Sequence, residues 1–448
     1  MNFILTTFIT LISIIGALLS ISIVIIVHEL GHFYAAKLCG LQAKNVVIGF
    51  GQLLYQYTDK QLTSWEIRLI PLGGYVNLTG QDTEKIAQYI KLSYLQKTFI
   101  LFAGIITNLL VACLLLNLTN LYGFERKMTI IGKVYTNSPA SKMQLKSNDL
   151  ITKINHVPVN NLEDTILELV HAHQTQETFT VDVIRDDKKI TLQSNTKWKL
   201  LSDDKSVLRN FGIHDKKEYS STTIHHLIDF SDAEKSGLRQ YDRILYINDV
   251  AVLDAHDIYD QLQDNKNAPV NITFLRHNNE QTITLNTTND DIIRGIRFKE
   301  QKKDPSLYFY YQKNIYASFT SSLKLIYNYL FMQSIILYHI IIGELSILQF
   351  SGPIKIITLS YQISSAMLIT LWLRWIAAIN IALAFINALP IPLLDGGQWC
   401  MLTLGYIIGE RLTNVLHEAL AYLSIFFIGF FVSYITYYEI LEIILSIN

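Results

Sequence analysis

Four long apolar stretches stand out along the chain, at residues 3–27, 98–122, 375–394 and 419–438. Each lacks Asp, Glu, Lys and Arg, and each is long enough to cross a hydrocarbon core of roughly 30 Å as a helix. The pattern therefore predicts a polytopic α-helical membrane protein with about four spans. The first stretch has neither a basic start nor a small-residue cleavage site, so we expect a retained span and not a signal peptide.

Between the first two stretches, apolar and polar residues alternate as they do in half-buried β-strands. The strand-like segments are 46–51, 53–57 and 65–69, with a turn near residues 59–60. This pattern predicts a small sheet next to the first span. The sheet is either a simple linker hairpin or an edge strand with a binding role.

The polar region between the second and third stretches contains an internal repeat. Residues 148–155 align with residues 241–248 at an offset of 93, and each copy continues into a helical stretch and an alternating strand pair. An aspartate before an apolar strand that ends in Asn at a turn resembles PDZ domains, which capture peptides at a sheet edge. His156 and Asp249 stand where such domains usually have glycine, but both residue types tolerate a positive φ. These domains either bind ligand or act as rigid spacers.

Residues 325–343 form a fifth uncharged stretch. A single crossing there would reverse the direction of the third span, whose C-terminal end should meet the C-terminal end of the first. Asn328, Gln333, Ser334 and His339 are scattered along this stretch, so we expect a helix that lies in the membrane interface.

These elements divide the chain into a membrane-spanning part, a small membrane-associated β-sheet and a tandem PDZ-like α+β insert. The predicted segments are 1–39 (first span), 40–97 (cytoplasmic segment with the sheet), 98–122 (second span), 128–197 and 205–290 (PDZ-like domains), 315–360 (interfacial amphipathic helices), 371–397 (third span) and 415–446 (fourth span).

Composition and charge agree with this picture. Half of the residues are hydrophobic and 17% are charged, and the net charge of −1 gives no indication of a nucleic-acid partner. No basic residue precedes the first span, whereas several crowd the segment that follows it, namely Lys37, Lys44, Lys60, Arg68, Lys85, Lys91 and Lys97. The positive-inside rule therefore predicts that this segment is cytoplasmic, and that the N-terminus and the PDZ-like domains lie outside.

The first span ends in His28-Glu29-Leu30-Gly31-His32. On a helix, residues four apart share a face, so both imidazoles can hold one zinc ion while Glu29 polarises a water molecule. Ionisable side chains at membrane depth are costly and mark functional sites. The alternative is that neighbouring groups at the helix end satisfy these side chains.

A zinc hydrolase needs a third protein ligand, and Asp395 is the best candidate. It ends the third apolar stretch in Asn387-Ala-Leu-Pro-Ile-Pro-Leu-Leu-Asp-Gly-Gly, where two prolines must break the helix. Irregular backbone at this depth is tolerated where it is packed in protein or lines a wet cavity. The alternative for Asp395 is a helix-capping turn with the two glycines that follow it.

Three residues are candidates for positioning a substrate. Gly74 and Tyr75 lie in the strand-like segment, which would hold an unwound substrate by edge addition. Asn387 could position the substrate backbone, stabilise the oxyanion or simply cap the kinked helix.

These motifs together resemble the site-2 protease family of intramembrane zinc metalloproteases. The similarity is greatest to the bacterial branch that includes the regulator of sigma-E protease. Its motifs occur here in the same order, at 28–32, 48–51, 71–76, 351–354 and 387–397. Asn77 is a departure, because this branch usually has lysine there.

The resemblance implies four spans, one zinc ion held by His28, His32 and Asp395, and Glu29 as general base. It also implies cleavage within the membrane of single-span proteins such as anti-sigma factors or signal-peptide remnants, with the active site near the cytoplasmic face of a bacterial inner membrane. The alternatives are a proteolytically inactive scaffold that uses its PDZ-like domains, and a zinc transporter. A transporter would need polar residues across several spans, whereas these spans are apolar outside one end.

Overall fold

The structure is a computed structural model in which the chain forms two compact units. The membrane unit comprises Met1–Phe124 and Tyr311–Leu441, and the insert unit comprises Glu125–Tyr310 with Glu442–Asn448. The described residues are 2–41, 43–60, 62–77, 90–175, 178–194, 198, 207–216, 221–228, 231–252, 254–265, 268–286, 296–298, 305–349, 351–366 and 368–447.

The α-helices are α1 (Asn2–Leu38), α2 (Tyr94–Tyr122), α3 (Pro139–Lys142), α4 (Leu162–Thr175), α5 (Val207–Phe211), α6 (Asp232–Lys235), α7 (Ala255–Asp264), α8 (Ile315–Ile341), α9 (Pro353–Ser365), α10 (Ile369–Asn387), α11 (Asp395–Ile408) and α12 (Glu410–Ile447). Short 3₁₀ turns lie at Pro305–Leu307 and Ile347–Gln349. Within the described residues, four helices are long and apolar enough to cross a membrane: α1, α2, α10 and α12. The expected set of four apolar helices is confirmed.

The strands are β1 (Asn45–Thr58), β2 (Ser64–Asn77), β3 (Phe124–Lys127), β4 (Ile131–Val134), β5 (Leu150–Ile154), β6 (Val157–Pro158), β7 (Phe179–Arg185), β8 (Lys188–Ser194), β9 (Ile213–Asp215), β10 (Ile224–Leu227), β11 (Arg243–Ile247), β12 (Val250–Ala251), β13 (Pro269–Arg276), β14 (Asn279–Asn286), β15 (Ile296–Phe298) and β16 (Tyr308–Tyr311). The two segments predicted at 46–51 and 53–57 form one continuous strand, β1.

In the membrane unit, α1 and α10 run in the same direction and α2 runs opposite to both. At one end of the bundle, Trp372 Nε1 donates to the Gly16 carbonyl 3.4 Å away, and Arg374 lies 3.5 Å from Asn120. At the other end, the start of α2 reaches His32 near the end of α1. The chain therefore leaves α2 and enters α10 at the same end of the bundle, so the segment between them makes no net crossing. Whether 325–343 lies in the interface stays a prediction.

The span α12 is the least enclosed of the four. Only 6% of its most apolar window is buried, against 50% in α2. The Glu439 carboxylate of α12 accepts the backbone N–H groups of Gly352 (2.8 Å) and Ile354 (3.2 Å) at the start of α9. A carboxylate is well placed at a helix N-terminus, where backbone N–H groups lack partners within the helix.

The sheet of β1 and β2 has four segments, because both strands bend. Residues 45–48 pair with 64–67 on one side and with 74–77 on the other, while 53–58 pair with the outer side of 64–68. The segment 74–77 is therefore an edge of the sheet. The Asn77 carbonyl accepts the Lys44 N–H from within the sheet. Since backbone groups alternate along a strand, those of Gly74 and Val76 face outwards.

The insert unit contains two four-stranded antiparallel sheets with the same strand order, β6-β5-β7-β8 and β12-β11-β13-β14. In each sheet, a tight turn places the short strand next to the one that precedes it in the chain, β6 next to β5 and β12 next to β11. At these turns, Asn155 and His156 have φ of 46° and 66°, and Asn248 and Asp249 have φ of 45° and 63°. The residues that replace the usual glycine therefore adopt the left-handed conformation. The identification of these domains as PDZ-like stays a prediction.

A buried ion pair recurs at equivalent positions of the two sheets. Arg185 binds both carboxylate oxygens of Asp149 at 2.7 Å, and Arg276 binds those of Asp242 at 2.8 and 2.6 Å. Both aspartates are almost fully buried. Hydrogen bonding to the aspartate raises the pKa of each arginine, so both guanidinium groups stay charged.

Candidate metal centre

The first two predicted ligands lie side by side near the end of α1. The Nε2 atoms of His28 and His32 are 3.2 Å apart, and the two rings meet edge to face. The i, i+4 spacing places them on one face of the helix, as expected. The Nδ1 atom of His32 lies 2.8 Å from the Ile100 carbonyl of α2. This contact favours the tautomer with hydrogen on Nδ1, which leaves Nε2 free to bind a metal.

Two glycines allow α1 and α2 to approach closely at this point. A Cβ added at Gly31 would lie 2.6 Å from the Ala103 carbonyl oxygen. A Cβ added at Gly104 would lie 2.5 Å from His32 Nε2 and 2.6 Å from His28 Cε1. Small residues at helix contacts let the backbones of membrane helices approach closely. The two imidazoles therefore rest against bare backbone of α2.

Asp395 reaches the site because the third span ends before it. The helix α10 ends at Asn387, and residues 388–394, with Pro390 and Pro392, form a turn before α11 begins. The predicted break is present, and it lies at the start of the proline segment. The predicted stretch 375–394 is therefore corrected: its last seven residues are outside the helix. Proline has no N–H to donate, and its ring clashes with the preceding turn of a helix.

The glycines after Asp395 let this turn fold back on itself. A side chain at Gly396 or Gly397 would collide with the backbone of the preceding turn. The N-cap residue of α11, Leu394, makes no side-chain capping hydrogen bond. The Asp395 carboxylate instead points at the histidines, with Oδ2 3.2 Å from His28 Nε2 and 3.3 Å from His32 Nε2.

The three ligand atoms fit a zinc ion by two criteria. They form a triangle with sides of 3.2, 3.2 and 3.3 Å. Ligands about 2.0–2.2 Å from a tetrahedral zinc ion are separated by about 3.3–3.5 Å. In addition, among the described residues no donor reaches the buried Asp395 Oδ2 with hydrogen-bond geometry. Two imidazole nitrogens and one carboxylate oxygen also form a common ligand set of catalytic zinc.

Glu29 lies between this triangle and the edge of the β-sheet. Its Oε2 accepts the Val76 N–H at 2.9 Å, and Val76 faces outwards from the edge segment 74–77. Gly74 pairs with Ile48 and also faces outwards, whereas the backbone of Tyr75 faces its partner Val47. Edge addition would thus use the backbone groups of Gly74 and the Val76 carbonyl, since the Val76 N–H is bound by Glu29. The sequence argument missed Val76, although the alternation of the strand would have identified it.

One cavity of about 640 Å³ brings the predicted site residues together. Its lining includes His28, Glu29, His32, Tyr75, Asn387 and Asp395. Asn77, the departure from the expected lysine, also lines it. Gly74 lies beside Glu29, with 3.6 Å between an added Cβ and the Glu29 Cγ atom.

The sequence argument also missed the contribution of the second span. Gly104 packs against both imidazoles, and the Asn108 side chain lies 3.4 Å from His28 Nδ1. The available signal was a small residue and an amide four positions apart in the middle of the span, which places both on one face of the helix.

Comparisons with known proteins identify the family of the chain. The profile of Peptidase family M50 matches residues 16–431. The regulator of sigma E protease of Salmonella typhimurium strain LT2 is 25% identical, with 92% of this chain and 95% of the relative covered. The regulator of sigma-E protease of Escherichia coli strain K12 is 24% identical, with 88% and 90% covered. A Pasteurella multocida protein named as a zinc metalloprotease is 26% identical, with 92% and 95% covered.

The family match spans most of the chain, and four apolar helices are present. The protein is thus an integral membrane protein, and its relatives include proteases and zinc metalloproteases. The resemblance drawn from the sequence motifs is confirmed. The chain belongs to Peptidase family M50, the site-2 protease family of intramembrane metalloproteases.

Proposed function

We propose that this protein is a zinc endopeptidase that hydrolyses peptide bonds within the transmembrane segments of single-span membrane proteins. His28, His32 and Asp395 hold one zinc ion, and Glu29 is the general base. The observation that carries this proposal is the triangle of three ligand atoms, 3.2–3.3 Å on each side, formed by helix ends that are distant in sequence.

The zinc ion, when bound, supplies Lewis acidity that polarises the scissile carbonyl and lowers the pKa of water to about 7. Glu29 takes the proton from the attacking water and returns it to the leaving amine. Because Glu29 Oε2 already accepts the Val76 N–H, we assign the proton transfer to Oε1. The same hydrogen bond holds the carboxylate in one orientation, which favours catalysis by a positioned base.

The substrate helix must unwind before attack, because its carbonyls are engaged in its own hydrogen bonds. Each unpaired backbone group costs several kcal/mol in hydrocarbon, so the enzyme must offer replacement partners. The outward groups of Gly74 and the Val76 carbonyl are suited to this by strand addition next to Glu29, since the Val76 N–H is already bound by Glu29. We place the Tyr75 side chain beside the substrate, and Asn387 near the scissile bond as a positioning residue, since both line the cavity.

The names of the relatives, which describe regulators of sigma-E, support a substrate class. We infer single-span substrates of the anti-sigma-factor or signal-peptide-remnant type, cleaved in a bacterial inner membrane. Basic residues between α1 and α2 favour a cytoplasmic sheet and active site, with the N-terminus and insert unit outside. In the insert unit, the two equivalent sheets support PDZ-like domains that contact the substrate or limit its access.

The first test is Glu29→Gln, assayed on a model single-span substrate in detergent or vesicles. Glutamine keeps the size of the side chain but removes the base, so cleavage should fall by at least about 10²–10⁴-fold, the contribution typical of a general base. Zinc content should stay equal to that of the parent. Glu418→Gln, at an exposed position of α12, is the matched control and should cleave normally.

Two outcomes would contradict the proposal. Full cleavage by the Glu29→Gln variant would exclude Glu29 as the base. A parent protein that binds zinc but cleaves no transmembrane substrate would instead support the inactive scaffold. Substrate variants with helix-weakening residues near the cut should be cleaved faster than variants with Ala or Leu there, and equal rates would exclude the unwinding step.

A further inference from the structure

The second span carries a buried amide that the proposed mechanism does not use. Asn108 is completely buried, and its Nδ2 atom lies 3.4 Å from His28 Nδ1. Its Oδ1 atom has no hydrogen-bond partner among the described residues. A buried polar atom left unpaired is destabilising, so an amide in this position calls for an explanation.

The two zinc-binding imidazoles differ in what holds their second nitrogen. His32 Nδ1 faces the Ile100 carbonyl, an acceptor that requires hydrogen on Nδ1 and leaves Nε2 free. His28 Nδ1 faces the Nδ2 atom of Asn108, a donor. With that donor in place, a neutral His28 would carry its hydrogen on Nε2, the atom that points at Asp395 and must be free to bind a metal.

A 180° rotation of the Asn108 amide gives the Oδ1 atom a partner and replaces the donor that faces His28 Nδ1 by an acceptor. It places Oδ1 where Nδ2 now lies, so that the unpaired oxygen accepts the Nδ1–H of His28. The imidazole then presents a bare Nε2 towards His32 and Asp395. Histidines that bind zinc usually donate their other N–H to a carbonyl or carboxylate in this way.

We propose that Asn108 is a positioning residue of the metal centre, which binds no metal itself but sets the tautomer and ring orientation of His28 through Oδ1. This inference rests on the proposed zinc site. It gives the second span an acceptor for each histidine, the Ile100 carbonyl for His32 and the Asn108 amide for His28.

The test compares zinc affinities of purified full-length variants by competition with a chromophoric chelator. Asn108→Leu keeps the size of the side chain and removes the acceptor, so the zinc dissociation constant should rise about 10–100-fold. Asn108→Asp keeps an acceptor oxygen in the same place and should bind zinc at least as tightly as the parent. Recovery of binding by this variant separates an acceptor role from a packing role.

Asn380→Leu is the matched control. Asn380 is also a completely buried asparagine in a span, and its Oδ1 atom likewise has no partner among the described residues, but its Nδ2 atom donates to the Ile376 carbonyl of its own helix and not to a histidine. This variant should bind zinc like the parent. The thermal midpoint of each variant, measured with excess chelator, reports folding independently of metal. If Asn108→Leu does not fold, Asn108→Ala replaces it in the test, because alanine also lacks the acceptor and has a smaller side chain.

Three results would overturn the inference: unchanged affinity when the acceptor is removed, an equal loss in the Asp and Leu variants, or an equal loss in Asn380→Leu. If the parent itself binds no zinc, both the inference and the proposed function fail. If the parent binds zinc and cleaves its substrate while Asn108→Leu keeps full affinity, only the inference fails.

Discussion

Carboxylates are buried in both units of this protein, but their partners differ. In the insert unit, Asp149 and Asp242 each receive two hydrogen bonds from an arginine and one from a backbone N–H. A third, Asp257, is paired with Lys133 at 2.8 Å. In the membrane unit, Asp395 Oδ2 is buried beside two imidazole nitrogens, with no donor in hydrogen-bond geometry among the described residues.

The difference separates structural polar groups from functional ones. A buried charge is tolerated when it is paired and hydrogen-bonded, and the insert meets this requirement within the chain. In the metal centre the neighbours of the carboxylate are two imidazoles, which carry positive charge only when protonated, and among the described residues no arginine or lysine pairs with it. A bound metal ion would supply positive charge to this cluster. A buried carboxylate oxygen therefore has a different meaning in each unit, and substitutions should have different effects.

The largest effect should come from Asp395→Asn. This change removes a ligand, so zinc affinity and cleavage should both fall by more than the roughly 10–100-fold typical of residues that only orient ligands. The thermal midpoint of the metal-free protein should change little, because asparagine keeps the size and polarity of the side chain beside the two imidazoles. Zinc content by mass spectrometry and unfolding with excess chelator would check this. A lower metal-free midpoint would show that Asp395 is a structural residue.

The next largest effect should come from the buried ion pair of the insert unit. Arg185→Met leaves the Asp149 carboxylate buried without its partner, which should cost about 3–5 kcal/mol in the free energy of unfolding of the insert. Zinc affinity should not change. The equivalent Arg276→Met should cost a similar amount, and Arg297→Met, at an exposed position, should cost little. Denaturant unfolding would measure these differences, and a loss of zinc from the Arg185 variant would remove the distinction between the units.

The smallest effect should come from Gly104→Ala. The added methyl group would lie within 2.6 Å of both imidazoles, so the rings must shift and zinc affinity should fall about tenfold, as for other residues that orient ligands. Gly429→Ala is the matched control, since a Cβ there meets no atom within 4 Å. Affinity by chelator competition is the measurement. Equal affinities of the two variants would show that the rings do not need the bare backbone of α2.

Local patterns predicted much of the site. Apolar length identified the four spans, and the spacing of His28 and His32 placed them on one helical face. The prolines before Asp395 predicted a broken helix, although the apolar stretch was continued seven residues too far. Apolar composition continues through the turn, and only the prolines mark where the helix stops. The edge segment was foreseen at Gly74 and Tyr75, but the outward groups belong to Gly74 and Val76.

The contribution of α2 could not be predicted in the same way. Its apolar residues face lipid and neighbouring helices alike, so hydrophobic periodicity does not reveal which side touches α1. Gly104 and Asn108 gain their meaning only from the rings beside them.

The sequence by itself determined which helices are long and apolar enough to cross the membrane and that two imidazoles and a glutamate share the end of one of them. These are properties of helix length and of residue spacing within a turn or two, and they need no knowledge of neighbours. The tertiary structure alone decided that Asp395 meets both imidazoles, that Val76 holds Glu29 and that the second span supports the rings. Those contacts depend on how closely helices and a sheet edge approach, and close approach is set by packing between segments far apart in the chain.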